Sequence, residues 1–390
     1  MNKRVLKPAQ LKTELEKCLH CAAKPCQKAC PVHCSPCDFI AAAKNGEWQK
    51  AAELIESQNP LAQSCGLICP DKFCQKACVR ANLDKAIKIP AVQAAIMQKA
   101  RNENMPLANV PNPNGLRVAV IGSGPAGIGA AAVLLRQGFC VTIFEKSNQI
   151  GGALNLIPAE RLPREVIAAD WKRIAANPNL TVKLNTLADD YETLLEQGFE
   201  AVIVAVGEQT RRMLNIVGED LSVSYVEYLS NPQKYQTNGN VAVVGGGEVA
   251  LDCALTAKRL GGMVEMFVRR GLSNMRMGLD DYADLISNDI NVTTMTRVAK
   301  IEKQKENLLT AYTIKTRFNA DGKLEDIPNT QTARPDFSLI ILALGSSCRE
   351  NKLDNPRVIY AGDCVNGGST AVEAVASGKA AAQKFMEQIA

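Results

Sequence analysis

Twice in this chain a run of β-branched residues ends in a glycine-rich turn and passes straight into an Ala/Leu-rich helix and a second strand: "VAVIGSGPAGIGAAAVLLRQGFCVTIFEK" (118–146) and "VAVVGGGEVALDCALTAKRLGGMVEMFVRR" (241–270). Such a unit closes as two parallel strands joined by a right-handed helical crossover, with phosphates seated on the helix N-terminus. Two copies predict an α/β chain with two Rossmann-like dinucleotide-binding domains. No other internal repeat is visible in the sequence.

In the first unit Gly122, Gly124 and Gly127 form G-x-G-x-x-G, with Ser123, Pro125 and Ala126 between them. The glycines allow, in order, the tight turn, the approach of a pyrophosphate and close packing of helix on strand. Glu145 stands eighteen residues after Gly127, at the end of the second strand and followed by Lys146, where a carboxylate can accept from both ribose hydroxyls. The second unit has Gly245, Gly246, Gly247 and Ala250 in the corresponding turn, with Glu248 and Val249 opening the helix. Where the first unit has its acid, this one has Arg269 and Arg270, with Arg276 shortly after. Guanidinium groups there suit a 2′-phosphate, so the pattern predicts FAD in the first site and NADPH in the second; the alternative is a solvated basic turn. Gly152 in "GGAL", Arg161 in "RLP", Gly345 at the end of "FSLIILALG", and Gly362 and Asp363 in "YAGD" complete the expected nucleotide contacts. Hydride transfer from nicotinamide to flavin needs proximity rather than a protein acid or base, and the only two histidines, His20 and His33, lie outside both units. No catalytic side chain is expected. No cysteine pair follows "GGAL", so electrons taken up by the flavin must leave by a route other than a redox disulfide.

Ten of the fourteen cysteines lie between Cys18 and Cys78, the remaining four being scattered singly. With no apolar stretch long enough for a signal peptide or a membrane span, the chain reads as cytoplasmic, where clustered thiols are metal ligands more often than disulfides. Net charge is +5, but residues 1–110 carry sixteen Lys and Arg against nine Asp and Glu, leaving −2 for the remainder. Positive surroundings favour thiolates. Without interleaved aromatics or a recognisable binding module, the basic balance does not point to nucleic acid. The first group runs C-x2-C-x4-C-x3-C-P (Cys18, Cys21, Cys26, Cys30), and the second contains Cys65, Cys69, Cys74 and Cys78. Runs ending in Cys-Pro are typical of four-iron clusters, whereas paired C-x2-C units typify zinc. The spacing leaves iron–sulfur, zinc and disulfide readings open, and the need for an electron exit favours the first.

"CLHCAAKPCQKACP", "NPLAQSCGLICP", "CQKAC", "KAIKIPAVQ", "VIGSGPAGIGAA", "VVGGGEVALDCA", "VRRGLSNMR" and "AGD" follow one another in the order of the electron-input half of dihydropyrimidine dehydrogenase, which the chain resembles over nearly its whole length. That half is also similar to the small subunit of glutamate synthase. The resemblance implies two four-iron four-sulfur clusters, one held by Cys18, Cys21, Cys26 and Cys78, the other by Cys30, Cys69, Cys74 and the amide oxygen of Gln93. A glutamine at that last place is the dihydropyrimidine dehydrogenase pattern; glutamate synthase small subunits have a glutamate. Cys34, Cys37 and Cys65 have no counterpart among the ligands, and the stretch between Cys69 and Cys74 is one residue shorter than in the family.

The expected organisation is a helical iron–sulfur domain (1–110), an FAD-binding domain (116–236 and 343–390) and an NADPH-binding domain (237–342). The chain stops at Ala390 without an FMN-binding barrel. The sequence therefore predicts an NADPH-oxidising subunit of a hetero-oligomer, passing electrons through FAD and the clusters to an FMN-containing partner subunit. A glutamate synthase small subunit and a non-catalytic zinc-binding scaffold are the alternatives.

Overall fold

A computed structural model of the chain describes residues 4–106, 110–208, 210–275, 277, 279–348 and 352–389. They form two compact units, one comprising Met1–Asn155, Ala159–Thr210 and Ser347–Ala390, the other Leu156–Pro158 and Arg211–Ser346.

The first unit joins the cysteine-rich helices to the first nucleotide fold. Three of those helices, Pro8–Glu16, Pro25–Lys28 and Pro36–Lys44, open on proline, whose fixed φ suits the first helical position and whose missing N–H would lack an intrahelical partner there. In Trp48–Glu56 the buried residues Ala51, Ala52 and Ile55 share one face, the pattern of a helix half sunk in a core. Helix Ala62–Ile68 packs on Ile89–Asn102 so closely that a Cβ added to Gly66 would lie 2.7 Å from the Ala94 amide nitrogen. The nucleotide fold is a five-stranded parallel sheet ordered Val358–Tyr360, Ala201–Val204, Arg117–Ile121, Cys140–Phe144, Leu180–Lys183. Helices Pro125–Arg136 and Ala371–Ile389 pack against each other beside it, and Gly378 makes this contact possible: a Cβ there would lie 1.9 Å from the Ala126 carbonyl oxygen.

Polar contacts tie the two halves of this unit together. The Asp170 carboxylate, buried in helix Arg164–Ala175, accepts from the Gln63 amide at 3.1 Å and the Ser64 amide at 2.8 Å. It thereby serves donors in the first turn of Ala62–Ile68 that no local side chain caps. Arg173 from the same helix pairs with Glu56 and donates to the Met105 carbonyl at 3.0 Å. Lys379 donates to the carbonyls of Val32 at 3.1 Å and Gln58 at 2.7 Å.

Removing Asp170 strands two buried amides, so Asp170→Ala is expected to lower stability by about 2 kcal/mol or more. For a domain of this size that is a fall in Tm of about 4–8 °C, measurable by differential scanning fluorimetry. Burial pushes the Asp170 carboxyl up to about 6 from an ordinary 3.8, against the lowering effect of the Ser64 and Gln63 contacts. Its titration therefore favours the fold fully below about pH 4, and that contribution is lost as pH rises through about 6. Melts at pH 5 and 7.5 should show this component in the wild type and not in Asp170→Ala.

The second unit is built on an eight-stranded mixed sheet. Strands Thr332–Leu342, Asn240–Val244, Met263–Phe267 and Asn291–Thr293 run parallel, and Leu309–Phe318 and Thr296–Lys303 extend the sheet antiparallel. The "NADGK" segment turns Leu309–Phe318 back into Leu324–Asp326: the Asn319 side chain accepts from the Asp321 amide at 3.0 Å and the Lys323 amide at 2.8 Å, while Gly322 takes φ +71°. No helix among the described residues is long and apolar enough to cross a membrane.

Candidate functional site

In the first cradle, strand Arg117–Ile121 delivers Gly122 to the turn, and helix Pro125–Arg136 starts at once with Gly124 as its N-cap. A Cβ on Gly127 would stand 1.9 Å from the Gly122 carbonyl oxygen, so helix and turn can approach only with glycine there. A Cβ on Gly124 would meet nothing within 4 Å. That open space in front of unpaired helix N–H groups suits a pyrophosphate. Gly152 closes over the turn, with its own Cβ position 2.9 Å from the Gly124 Cα, and the Gly151 amide donates to the Ser123 carbonyl at 3.0 Å.

Glu145 is buried at the end of Cys140–Phe144. Its Oε2 accepts from the Ser123 amide at 2.9 Å and hydroxyl at 2.7 Å, and its Oε1 accepts from the Ser147 amide and hydroxyl, both at 2.8 Å. Burial works against its charge, but the Ser123 and Ser147 contacts outweigh it and hold the carboxyl below its usual range. These bonds fill the carboxylate's acceptor directions. A ribose hydroxyl would take the place of one of the serine hydroxyls. Ser147 was not singled out by the sequence reading; its position two residues after Glu145 was the signal. Lys146 points to solvent, and Arg161 is half-buried beside the fully buried Leu162. Gly362 donates its amide to the Ser377 hydroxyl at 2.8 Å, and the next residue, Asp363, accepts from Ser369. Burial raises the Asp363 carboxyl, with the Ser369 contacts pulling the other way.

The second cradle repeats this plan. Strand Asn240–Val244 leads through Gly245 and Gly246 to Gly247, the N-cap of helix Glu248–Arg259, and a Cβ on Gly247 would again meet only open space. Val249 and the fully buried Ala250 seat the helix on its core. Arg269 is exposed just beyond Met263–Phe267; partial desolvation, then the charges of Arg270 and Arg212, lower its pKa from the usual very high value. Arg212 comes from a distant segment and is another residue the sequence reading missed. Its amide donates to the carbonyl of Gly345 at 3.3 Å. Arg276 lies outside the described residues.

The described cysteines are free thiols. Those between Cys18 and Cys78 fall into two neighbourhoods. Cys18, Cys21, Cys26 and Cys78 line one cavity, walled by apolar groups that include Ile40, Ile87 and Ile89, and Cys37 lines it too. Burial pushes Cys18 up to about 11 and also raises Cys26 and Cys37, so thiolates in this pocket call for a cation. In the second neighbourhood Cys30 and Cys74 are buried, and Cys74 is raised by burial and then by the charges of Cys69 and Cys30. Cys30 is held low chiefly by the Cys34 side chain, helped by the amides of Cys34, Val32 and His33. Gln93 is not a surface residue: it is 8% exposed, and its Nε2 donates to the Ala62 carbonyl at 2.7 Å. This bond uses the amide nitrogen and leaves the carbonyl oxygen as the atom suited to a metal. A soft sulfur donor set in an apolar cavity fits iron–sulfur chemistry, with Cys18, Cys21, Cys26 and Cys78 as the group brought together most plainly.

Fold and site define a nucleotide-dependent oxidoreductase carrying an iron–sulfur domain. Residues 2–105 match the family described as dihydropyrimidine dehydrogenase domain II, 4Fe-4S cluster, and residues 116–378 match pyridine nucleotide-disulphide oxidoreductase. The chain is 31% identical over 387 residues to the NAD-dependent dihydropyrimidine dehydrogenase subunit PreT of Salmonella typhimurium, covering 95% of this chain and 92% of that protein. It is 27% identical over 421 residues to the NADP(+)-dependent formate dehydrogenase subunit beta of Moorella thermoacetica, covering 92% of this chain and 59% of that one. Among solved structures, FprA of Mycobacterium tuberculosis in complex with NADPH superimposes with a TM-score of 0.62 at 17% identity, over 71% of this chain and 85% of that one. The chain belongs to the pyridine nucleotide-disulphide oxidoreductase family, and within it to the iron–sulfur electron-input subunits of the dihydropyrimidine dehydrogenase type. It is an NAD(P)H-dependent flavoprotein and an electron-transfer subunit.

Proposed function

We propose that this chain oxidises NADPH and passes the electrons, through FAD and two four-iron four-sulfur clusters, to an FMN-containing partner subunit that reduces a pyrimidine. When bound, these groups would supply the redox chemistry, two-electron hydride acceptance at the flavin and single-electron transfer at the clusters. The observation that carries the reading is the first unit itself, in which Asp170, Arg173 and Lys379 lock the cysteine-rich helices to the flavin fold. Electron transfer needs a fixed separation, and contacts of this kind restrain the two halves against one another.

The chain's own residues bind, orient and shield. The turns at Gly122–Gly127 and Gly245–Ala250 would present helix N–H groups to the two pyrophosphates, Glu145 would bind the flavin ribose, and Asp363, at the start of the helix Asp363–Asn366, would complete the flavin site. Cys18, Cys21, Cys26 and Cys78 would hold the first cluster, and Cys30, Cys69, Cys74 and Gln93 the second. The buried Gln93 amide favours the dihydropyrimidine dehydrogenase branch over glutamate synthase.

The enterobacterial relatives are named as NAD-dependent; the convergence of Arg269, Arg270 and Arg212 supports NADPH for this chain. Guanidinium groups whose charges reach one another favour a dianionic phosphate beside them. Replacing Arg269 and Arg270 with alanine should cut NADPH turnover at low concentration while leaving NADH nearly unchanged. Each charged hydrogen bond lost is worth about 1.5–3 kcal/mol, so the NADPH/NADH ratio of kcat/KM should fall at least about tenfold. Steady-state kinetics with ferricyanide measures it, and a wild-type preference for NADH would make the arginines a surface patch.

A further inference from the structure

The first cavity is lined by five thiols, one more than a four-iron cluster takes. The extra one is Cys37. Its Sγ, the Cys18 Sγ and a His20 ring nitrogen all lie within 4.8 Å of one another, and the His20 Nδ1 is 3.7 Å from the Cys37 Sγ. Cys37 is 8% exposed and sits in the first turn of Pro36–Lys44, so a regular helix fixes its position. Cys18 lies in irregular backbone after Pro8–Glu16, next to a stretch where His20 takes φ +49°. Cys34, three residues earlier, does not line this cavity; its Sγ lies 3.9 Å from the Ile55 carbonyl oxygen.

We propose that Cys37 is a reserve ligand of the first cluster, interchangeable with Cys18 at the same iron. The inference rests on the reading that this cavity holds a cluster. In the exchange one Fe–S bond breaks and another forms: the Cys18 sulfur leaves and takes up a proton, the Cys37 thiol gives one up as it binds, and no oxidation state changes. The pocket thereby keeps its cluster when the ligand on the irregular segment is lost to oxidation or displaced, while Cys78 has no such substitute.

The test uses the full chain purified anaerobically, as wild type, Cys18→Ala, Cys37→Ala, the double variant and Cys78→Ala. Alanine is chosen because it cannot ligate iron. Iron per chain and the electron paramagnetic resonance spectrum of the reduced protein are measured, with circular dichroism and flavin content as fold controls. Cys18→Ala and Cys37→Ala should each keep the wild-type iron, Cys18→Ala with a shifted spectrum, whereas the double variant should fall to the Cys78→Ala level. Loss of iron from folded Cys18→Ala down to the Cys78→Ala level would overturn the proposal, as would loss from Cys37→Ala alone. If the double variant fails to fold, folded Cys18→Ala still decides, because a ligand without a reserve must behave like Cys78. A wild type without iron would instead overturn the underlying cluster reading.

Discussion

Anaerobically purified protein is expected to contain about eight iron atoms per chain, and Cys78→Ala about half of that, as two four-iron clusters require. Cys78 reaches the first cavity from far along the chain, as the N-cap of the short turn Val79–Asn82, to stand with Cys18, Cys21 and Cys26. A ligand contributed from such a distance does more than complete a donor set. It would close a loop that includes the helices Pro36–Lys44, Trp48–Glu56 and Ala62–Ile68, making metal binding part of the folding energy of this half. Cys78→Ala should therefore lose iron and also melt at a lower temperature than the wild type, with the second unit's nucleotide binding retained. Metal analysis with a thermal melt checks both. Stoichiometric zinc and no iron in the wild type would mean that the cavity is a zinc site.

The two nucleotide folds were legible because their determinants are local. Gly122, Gly124 and Gly127 stand within one turn, Glu145 follows at the end of the next strand, and the structure builds that turn, helix and strand in order. The clustering of Cys18, Cys21 and Cys26 was equally local, while Cys78 joined them only through the family resemblance. Contacts made across long separations left no such trace. Asp170 reads as one more polar residue on an amphipathic helix, and nothing near it in sequence announces that it caps a helix more than a hundred residues earlier. Lys379 and Arg212 are hidden for the same reason. Cys34 and Cys37 had no place in the ligand pattern, and the structure parts them: Pro36 starts a helix between them, and Cys37 lines the first cavity while Cys34 does not.

Supplied with NADPH, the chain alone is expected to reduce ferricyanide or a viologen and to leave uracil and thymine unchanged; pyrimidine reduction should appear only when an FMN-containing subunit is added. On the proposed reading the two cradles hold one flavin and one nicotinamide, and both serve to move electrons inward. Hydrogenating a carbon–carbon double bond requires a hydride donor and a proton donor facing the substrate together. The chain's only histidines, His20 and His33, sit instead among the cysteines. On the proposed reading electrons cross to a partner, and the +7 balance of residues 1–110 favours the cysteine-rich half as the face on which an acidic partner would dock. Association steered by opposite charges is fast at low ionic strength and slows as salt screens it over a Debye length of about 8–10 Å. Coupled turnover at limiting partner should fall with added salt, while ferricyanide reduction by the chain alone moves much less. Spectrophotometric assay of both reactions across a salt series separates the two. A chain that hydrogenated a pyrimidine unaided at its ferricyanide rate would be a self-contained reductase, and one that coupled only to a glutamine-hydrolysing partner would belong with the glutamate synthase small subunits.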